Sequence, residues 1–226
     1  MNVLLFGATG MVGQGVLREC LLDSGVASVV SIGRSATGVS DPKLSQIVHA
    51  DLTNYAPIES RLSGFDACFF CLGVSSAGLN EEQYTRITYD ITLRAAETLA
   101  RLKPAMTFVF VSGQGTDSSE HGRTMWARVK GRTENALLRL PFKAAFMFRP
   151  GIIVPRFGAR SRTAIYRIPY ALTRPLLPLL LRALPRLVLT TDEIGRAMLL
   201  VARNGAPKPI LETADIRALI AHDLKT

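Results

Sequence analysis

Three glycines that directly follow a short apolar run constrain the fold of this chain more than any other feature. The run NVLLF covers residues 2–6, and Gly7, Gly10 and Gly13 lead from it into a segment with helical periodicity. In that context the first glycine permits a tight turn, the second lets a phosphate approach the backbone, and the third lets helix and strand pack closely. The stretch predicts a strand, a turn and a helix whose free N–H groups can bind the pyrophosphate of a dinucleotide.

Short apolar runs alternate with helix-like segments over the first 150 residues. The pattern predicts strands at 2–6, 28–33, 46–50, 66–72, 106–112 and 144–149, helices at 11–24, 80–103 and 120–139, and a short or irregular helix near 56–62. Such alternation is typical of an α/β fold of the Rossmann type, a doubly wound parallel sheet with helices on both faces. A chain of 226 residues is long enough for one such domain, so we expect residues 1–226 to form a single NAD(P)-binding unit.

The C-terminal part of the chain has a different amino-acid composition. Residues 168–189 are rich in leucine but are interrupted by four prolines and three arginines, which argues against a membrane span. We expect residues 155–189 to form a small C-terminal helical lobe on the substrate side, while a dimer surface or a peripheral membrane contact remain open alternatives. The next segment predicts a helix with Thr191 as its N-cap and Gly205 just past its end.

The positive charge is concentrated in one segment. The net charge is +9, and 14 of the 27 basic residues lie between Arg123 and Arg186, where Glu134 is the one acid. Because leucine, proline and isoleucine interleave with these charges, an anionic or hydrophobic small molecule, or an acidic membrane surface, fits better than nucleic acid. We therefore expect a small-molecule ligand and no nucleic-acid partner.

The cysteines favour a reducing compartment. Cys20, Cys68 and Cys71 are too few for a disulfide framework, and no signal peptide is recognisable, so we expect a cytoplasmic protein. Cys68 and Cys71 form a C-x-x-C, but they lie within an apolar strand-like run. Residues three apart on a strand point to opposite faces, which disfavours a redox or metal site.

The end of the second predicted strand carries a signal for cofactor choice. Sites that prefer NAD place an acid there to bind the ribose 2′-hydroxyl, whereas this chain has Arg34 and Ser35. An arginine can hold the 2′-phosphate of NADP(H) by charge-assisted hydrogen bonds. The prediction is a preference for NADP(H), with NAD(H) still able to bind.

On the glycine turn and the end of the second predicted strand, the chain resembles an atypical member of the short-chain dehydrogenase/reductase superfamily. It is most similar to NAD(P)H-binding epimerase/dehydratase-like proteins and to the Tat-interacting oxidoreductase-like group. The resemblance covers nearly the whole chain and is clearest over residues 1–155. The cofactor-binding residues it implies are Gly7, Thr9, Gly10, Met11, Gly13, Arg34, Ser35, Asp51, Leu52, Leu72, Gly73, Lys130, Pro150 and Gly151.

The stretch TMWARVKGRTE, residues 124–134, departs from the pattern of that superfamily. The resemblance implies a catalytic set of Ser112, a tyrosine and Lys130, in which serine orients the substrate oxygen, tyrosine donates a proton and lysine holds the nicotinamide ribose. Trp126 stands at the tyrosine position, and an indole N–H can donate a hydrogen bond but cannot supply a proton near neutral pH. We thus place Ser112, Trp126 and Lys130 in the site and expect non-standard acid chemistry.

Other side chains could replace the missing phenol. His121 is one candidate because an imidazole can act as a general acid, although an exposed loop histidine is the simpler interpretation. Tyr84 and Tyr89 lie early in the predicted helix at 80–103, where packing is their simpler role, and the run DSSE at 117–120 is typical of a helix cap.

The sequence is compatible with two main functions. The first is an NADP(H)-dependent oxidoreductase with altered acid chemistry, and the second is a non-catalytic NADPH-binding sensor or scaffold. A membrane-surface protein that reads redox state is a third. The sequence leaves both a monomer and a homodimer open.

Overall fold

A computed structural model describes residues 1–159 and 187–223 of the chain. Seven parallel strands form the main sheet, and two more form a small second sheet. The strands are β1 (Asn2–Phe6), β2 (Ser28–Gly33), β3 (Leu44–Val48), β4 (Ala67–Phe70), β5 (Thr107–Val111), β6 (Ala144–Arg149), β7 (Ile152–Val154), β8 (Val188–Thr190) and β9 (Ile210–Glu212). The main sheet has the order β3-β2-β1-β4-β5-β6-β9, and β7 pairs with β8 in the second. Successive strands are added on one side of β1 up to β3 and on the other side from β4 onward, while all strands stay parallel. Ligands of open α/β sheets bind at such a change of strand order, here between β1 and β4.

Helices cover both faces of the main sheet. They are α1 (Met11–Leu22), a 3₁₀ helix (Ala56–Arg61), α2 (Glu81–Thr85), a π-helix (Arg86–Asp90), α3 (Ile91–Leu102), α4 (Met125–Leu138), α5 (Thr191–Asn204) and α6 (Thr213–Asp223). One core packs α1, α5 and α6 against the sheet, and the other packs the 3₁₀ helix, α3 and α4 against the opposite face. The predicted doubly wound Rossmann-type fold is confirmed.

The apolar strand runs are explained by burial on both sides. In β1, Leu5 belongs to one core while Leu4 and Phe6 belong to the other, and all three are fully buried. Burying a side chain of this size contributes roughly 1.5–3 kcal/mol. Cys68 and Cys71 likewise pack into opposite cores, so the C-x-x-C is a feature of a buried strand. Burial raises the pKa of both thiols, which makes them poor nucleophiles.

Several predicted boundaries move in the structure. Strand β3 spans 44–48 instead of 46–50, β4 and β5 are shorter than predicted, and α1 ends at Leu22. The predicted helix at 80–103 is helical over 81–102, but a π-helical turn interrupts it and an Asn80–Gln83 capping box begins it. Its apolar spacing gave no signal of that turn.

The predicted start of the helix at 120–139 was wrong. Helix α4 begins at Met125, because the Asp117 carboxylate accepts hydrogen bonds from the backbone N–H groups of Ser119 and Gly122 and thereby stabilises a loop. The run DSSE therefore folds back on itself and does not cap the helix.

The predicted N-cap of α5 was also wrong by one residue. Thr190, at the end of β8, accepts from the Glu193 N–H, and the Glu193 carboxylate accepts from the Thr190 N–H. This capping box selects Thr190 because its extended backbone ends a strand, and that strand was not predicted. Gly205 does end the helix, with φ +73°.

The predicted helical lobe at 155–189 lies largely outside the described residues. At its C-terminal end, residues 188 and 189 belong to β8, so a helix there was wrong. Over residues 1–159 and 187–223, no helix is long and apolar enough to cross a membrane.

Candidate cofactor-binding and active site

The turn between β1 and α1 leaves no room for side chains at two of its three glycines. Gly7 has φ +79°, and a Cβ there would lie 2.6 Å from the backbone nitrogen of Leu72. A Cβ at Gly13 would lie 2.1 Å from the carbonyl oxygen of Gly7. Both distances are far inside van der Waals contact, so the turn requires glycine at these positions.

The N-terminus of α1 is open to an anion. Gly10 is the N-cap, no side chain of the described residues caps the helix, and the first turn contains no acid. A Cβ at Gly10 would meet only the Gly7 carbonyl oxygen, at 3.3 Å, and the Gln14 side-chain amide donates to the Thr9 carbonyl at 3.0 Å. Met11 is the first residue of the helix. Uncapped N–H groups at the positive end of a helix fit a diphosphate.

The ends of β2 and β3 place the next predicted residues at the same edge of the sheet. Arg34 and Ser35 are exposed, and no ion pair joins Arg34 to another described residue. Asp51 is exposed, and hydrogen bonds from the Thr53 hydroxyl and backbone N–H lower the pKa of its carboxyl. The side chain of Leu52 is buried in the core, which leaves its backbone as the part that could contact a ligand.

The loop after β4 completes this part of the site. Leu72 lies against the glycine turn, and a Cβ at Gly73 would meet nothing within 4 Å. We call this set the glycine-turn region: residues 7–13, 34–35, 51–52 and 72–73. The structure brings them together at the carboxyl ends of β1 to β4, as predicted, while their role as cofactor ligands stays a prediction.

Beyond β5, a second set of predicted residues meets around the loop at 112–116. The Lys130 ammonium donates to the Ser112 carbonyl oxygen at 2.6 Å, and the Ser112 hydroxyl lies 2.8 Å from that of Thr116. Trp126 and Lys130 are four residues apart on α4, so they face the same loop. A Cβ at Gly115 would lie 3.5 Å from the Trp126 ring.

Ser112, Gly115 and Trp126 line a cavity of about 520 Å³, which we call the serine cavity, whereas Lys130 and Thr116 are not among its lining residues. Its lining residues are Ser112, Gly113, Gln114, Gly115, Trp126, Pro150, Gly151, Ile152 and Ile153. The predicted pair Pro150 and Gly151 therefore lies with Ser112 and Trp126, at the carboxyl ends of β5 and β6. A cavity of this size suits a small ligand.

The three side chains considered as substitute acids are not among those lining residues. His121 is exposed in the loop before α4. Tyr84 is buried in the protein interior, and the Arg132 guanidinium lies 4.2 Å from the centre of the Tyr89 ring. Their positions agree with packing or solvated roles.

A buried ion pair supports the serine cavity from behind. Glu134 on α4 is fully buried, and its carboxylate accepts two hydrogen bonds from Arg149 Nε, at 3.0 and 3.1 Å. Arg149 also donates to the Ser118 hydroxyl and to Glu212 on β9. The arginine that precedes Pro150 and Gly151 thus ties α4, β6, β9 and the loop after β5 together.

The same environment changes Lys130. Desolvation lowers the pKa of its ammonium to about 8, and the negative charge of Glu134 opposes that shift. Lys130 is therefore mostly charged at neutral pH but titrates well below an ordinary lysine.

Sequence reasoning missed two residues of this site. Thr116 is buried and bonded to Ser112, and Gln114 lines the cavity. The available signal was the position of both in the loop directly after the predicted strand that ends in Ser112.

A larger cavity of about 840 Å³ lies between residues 53–59 and α3. It adjoins the loop that carries Asp51, and Tyr89 lines it, but none of the residues predicted for cofactor binding or for the set Ser112, Trp126 and Lys130 does. Its lining is mainly polar and charged. We therefore take the serine cavity as the candidate reaction site.

Comparison with known proteins agrees with this geometry. Residues 7–137 match the model of a family described as NAD(P)H-binding. The chain belongs to that NAD(P)H-binding family. It is 31% identical over 174 residues to the protein fmp52, mitochondrial, of Emericella nidulans. The aligned region covers 74% of this chain and 73% of that protein. It is 28% identical to the protein HTATIP2 of Rattus norvegicus over 68% of this chain and 63% of that protein.

Solved structures share the fold of this NAD(P)H-binding protein. The enzyme WbmF of Bordetella bronchiseptica, in complex with NAD⁺, superimposes with a TM-score of 0.68 at 16% identity, covering 96% of this chain and 76% of that one. A short-chain dehydrogenase/reductase family oxidoreductase from Burkholderia thailandensis gives 0.68 at 15% identity, covering 99% and 96%. Together with the sequence relatives, these confirm the predicted resemblance to the atypical short-chain dehydrogenase/reductase group.

Proposed function

We propose that this protein is an NADP(H)-dependent oxidoreductase of the atypical short-chain dehydrogenase/reductase type, in which Trp126 occupies the position of the usual catalytic tyrosine. The observation that carries the proposal is that Ser112 and Trp126 line one cavity and that Lys130 donates to the Ser112 carbonyl behind it, on the same sheet edge as an uncapped glycine turn. A bound cofactor would reach from the glycine-turn region to the serine cavity.

The glycine-turn region fits the adenosine diphosphate half of the cofactor. The uncapped N–H groups of α1 bind the pyrophosphate, and the open positions at Gly10 and Gly73 leave room for it. Asp51 and the backbone of Leu52 would hold the adenine. Arg34, exposed and without an ion pair among the described residues, binds the 2′-phosphate and gives the preference for NADP(H) over NAD(H).

The serine cavity holds the reacting end. When bound, the nicotinamide supplies or accepts the hydride. Lys130 binds the nicotinamide ribose hydroxyls through its ammonium group, while Pro150 and Gly151 form the wall beside it. Ser112 orients the substrate oxygen, and Trp126 shapes the cavity and offers one N–H donor. The proton must therefore come from another group or from water.

The substrate is a small, mainly hydrophobic molecule. Ile152 and Ile153 line the cavity, and Ile152 and Leu187 are exposed where β7 and β8 begin. An apolar lining with a few polar groups is the usual form of a small-molecule site.

We also propose a cytoplasmic protein, monomeric or homodimeric. The fungal relatives are named mitochondrial, so localisation by microscopy decides between these compartments.

The proposal is tested with the purified chain and NADPH. Calorimetry is expected to show one NADPH site per chain, and a panel of hydrophobic carbonyls, enones and imines, with the matching alcohols and NADP⁺, is expected to give turnover. Binding without turnover of any member would contradict the oxidoreductase assignment. No binding at all would contradict the cofactor assignment too.

A non-catalytic NADPH sensor is the second candidate, and one observation favours it. None of the nine lining residues carries a carboxyl, imidazole or phenol group that could donate a proton. The variant Trp126→Tyr separates the two functions. If it confers turnover on an inert wild type, the natural protein is a sensor, whereas an existing activity that stays unchanged shows that the proton comes from elsewhere.

A further inference from the structure

The hydroxyl of Ser112 lies in a chain of two hydroxyl groups that form the most hydrogen bonds in one direction. Thr116 Oγ1 donates to the Gly113 carbonyl at 2.7 Å, and the same oxygen lies 2.8 Å from Ser112 Oγ. A carbonyl oxygen can only accept, and a hydroxyl has one proton. Only one assignment forms both hydroxyl bonds: Thr116 donates to Gly113, and the Ser112 hydroxyl donates to Thr116.

This direction determines what Ser112 can offer to a ligand. Ser112 lines the serine cavity, and its oxygen has no further hydrogen-bonding partner among the described residues. With its proton directed at Thr116, that oxygen has only lone pairs left. It can accept a hydrogen bond from a ligand without any loss, but it can donate one only if a bond of this chain is lost. That bond is either its own bond to Thr116 or, when Thr116 turns its proton to Ser112, the bond from Thr116 to Gly113.

Thr116 itself lies outside the cavity wall and is buried, so it acts on a ligand only through Ser112. The chain of hydroxyls ends at an amide carbonyl, which is not a base near neutral pH. It therefore cannot carry a proton away from the site, and its effect is on hydrogen-bond direction alone.

We propose that Thr116 is a positioning residue that holds Ser112 as a hydrogen-bond acceptor, so that the serine cavity selects an alcohol over the corresponding ketone. An alcohol donates its hydroxyl proton to Ser112, whereas a ketone has no proton to donate. The inference rests on the proposed function and specifies its substrate class: the alcohol is the form that the resting site recognises.

The single tryptophan of the chain provides a reporter for this selection. Trp126 lines the cavity, so its indole N–H gives one nuclear magnetic resonance signal from the site. Titrating cyclohexanol and cyclohexanone into the full chain without cofactor yields a Kd for each ring from the shift of that signal. We expect the alcohol to bind about three- to tenfold more tightly, the usual worth of one hydrogen bond.

Two variants isolate the hydroxyl of Thr116. Thr116→Val keeps the shape but frees the Ser112 proton, so the ketone gains affinity and the preference for alcohol disappears. Thr116→Ser keeps a hydroxyl and restores the preference. Thr92→Val is the matched control, because Thr92 is a buried threonine that donates to the carbonyl of Thr88, outside the cavity wall. It leaves the alcohol-to-ketone ratio unchanged.

Equal affinity of the two rings in the wild type, binding of neither, or a ratio that Thr116→Val does not change would overturn the inference. Neutron diffraction of deuterium-exchanged wild-type crystals tests it without a variant. Deuterium on Ser112 pointing at Thr116 supports it, and deuterium on Thr116 pointing at Ser112 contradicts it. Calorimetry with NADPH is independent of both results, so failure of cofactor binding is distinguished from failure of the Thr116 assignment.

Discussion

The glycine-turn region and the serine cavity lie on the same edge of one sheet, yet they are built in different ways. The first is made of backbone: two glycines that accept no side chain and a helix end with uncapped N–H groups. The second is made of side chains on α4 and the loop after β5, held by the buried pair of Glu134 and Arg149. The glycine-turn region therefore depends mainly on backbone shape, whereas the serine cavity depends on side-chain charge and hydrogen bonding.

Breaking the buried ion pair is expected to have the largest effect. Glu134→Ala leaves the Arg149 guanidinium without its main partner, so the free energy of unfolding falls by about 3–5 kcal/mol. Urea denaturation measures this, with Glu97→Ala as control, because Glu97 forms an exposed pair with Arg94 at 3.9 Å. The control changes stability by at most about 0.5 kcal/mol. A loss below about 1 kcal/mol for Glu134→Ala would show that the serine cavity does not depend on this pair.

The next effect tests the shape requirement of the glycine-turn region. Gly13→Ala places a Cβ 2.1 Å from the Gly7 carbonyl oxygen, which forces the turn apart. We expect a loss of about 2–3 kcal/mol in stability and loss of NADPH binding by calorimetry. For stability, Gly73→Ala is the matched change, since its Cβ meets nothing within 4 Å. A Gly13→Ala protein with wild-type stability and NADPH affinity would contradict the claim that the turn between β1 and α1 requires glycine at this position.

A smaller effect concerns cofactor choice within the same region. Arg34→Ala removes the charge assigned to the 2′-phosphate, so NADPH affinity falls about tenfold or more while NADH affinity stays constant. Arg61→Ala, an exposed arginine of the 3₁₀ helix, serves as the control and changes neither. Equal losses for NADPH and NADH with Arg34→Ala would place the residue elsewhere on the cofactor or away from it.

The smallest predicted effect is a pH dependence that originates in the serine cavity. Because desolvation lowers the pKa of Lys130 to about 8, the ammonium loses its proton as pH rises through that value. If only the charged form binds the ribose, NADPH affinity falls by up to about tenfold between pH 7 and pH 9. Calorimetry across that range measures the slope. Lys130→Met binds more weakly and shows no such slope, and a wild-type profile as flat as that of the variant would contradict the role of Lys130.

The two regions also differ in how far their sequence predicts them. The glycine turn has a local signal, because glycines three apart directly after an apolar strand are typical of a turn that binds a dinucleotide. The strand alternation likewise predicted the sheet and most helices. Trp126 and Lys130 were placed together by the resemblance to the short-chain dehydrogenase/reductase pattern, in which a tyrosine precedes the lysine by four residues.

The remaining features depend on contacts that sequence spacing does not encode. Arg149 and Glu134 are 15 residues apart, and Glu212 is 63 residues from Arg149. The short strands β7, β8 and β9 each contain three residues, too few to show a period. The link from Thr116 to Ser112 depends on the fold of an irregular loop, and the Asp117 side chain that shapes this loop resembled a helix cap.

The central claim is that one NADPH molecule spans both regions, with its nicotinamide in the serine cavity beside Trp126. Because reduced nicotinamide absorbs where indole emits, and Trp126 is the single tryptophan, the claim is tested by titrating NADPH while recording Trp126 fluorescence. We predict nearly complete loss of indole emission at one equivalent, with sensitised nicotinamide emission that is absent in Trp126→Phe. NADPH binding by calorimetry that leaves most of the Trp126 emission intact would contradict the account.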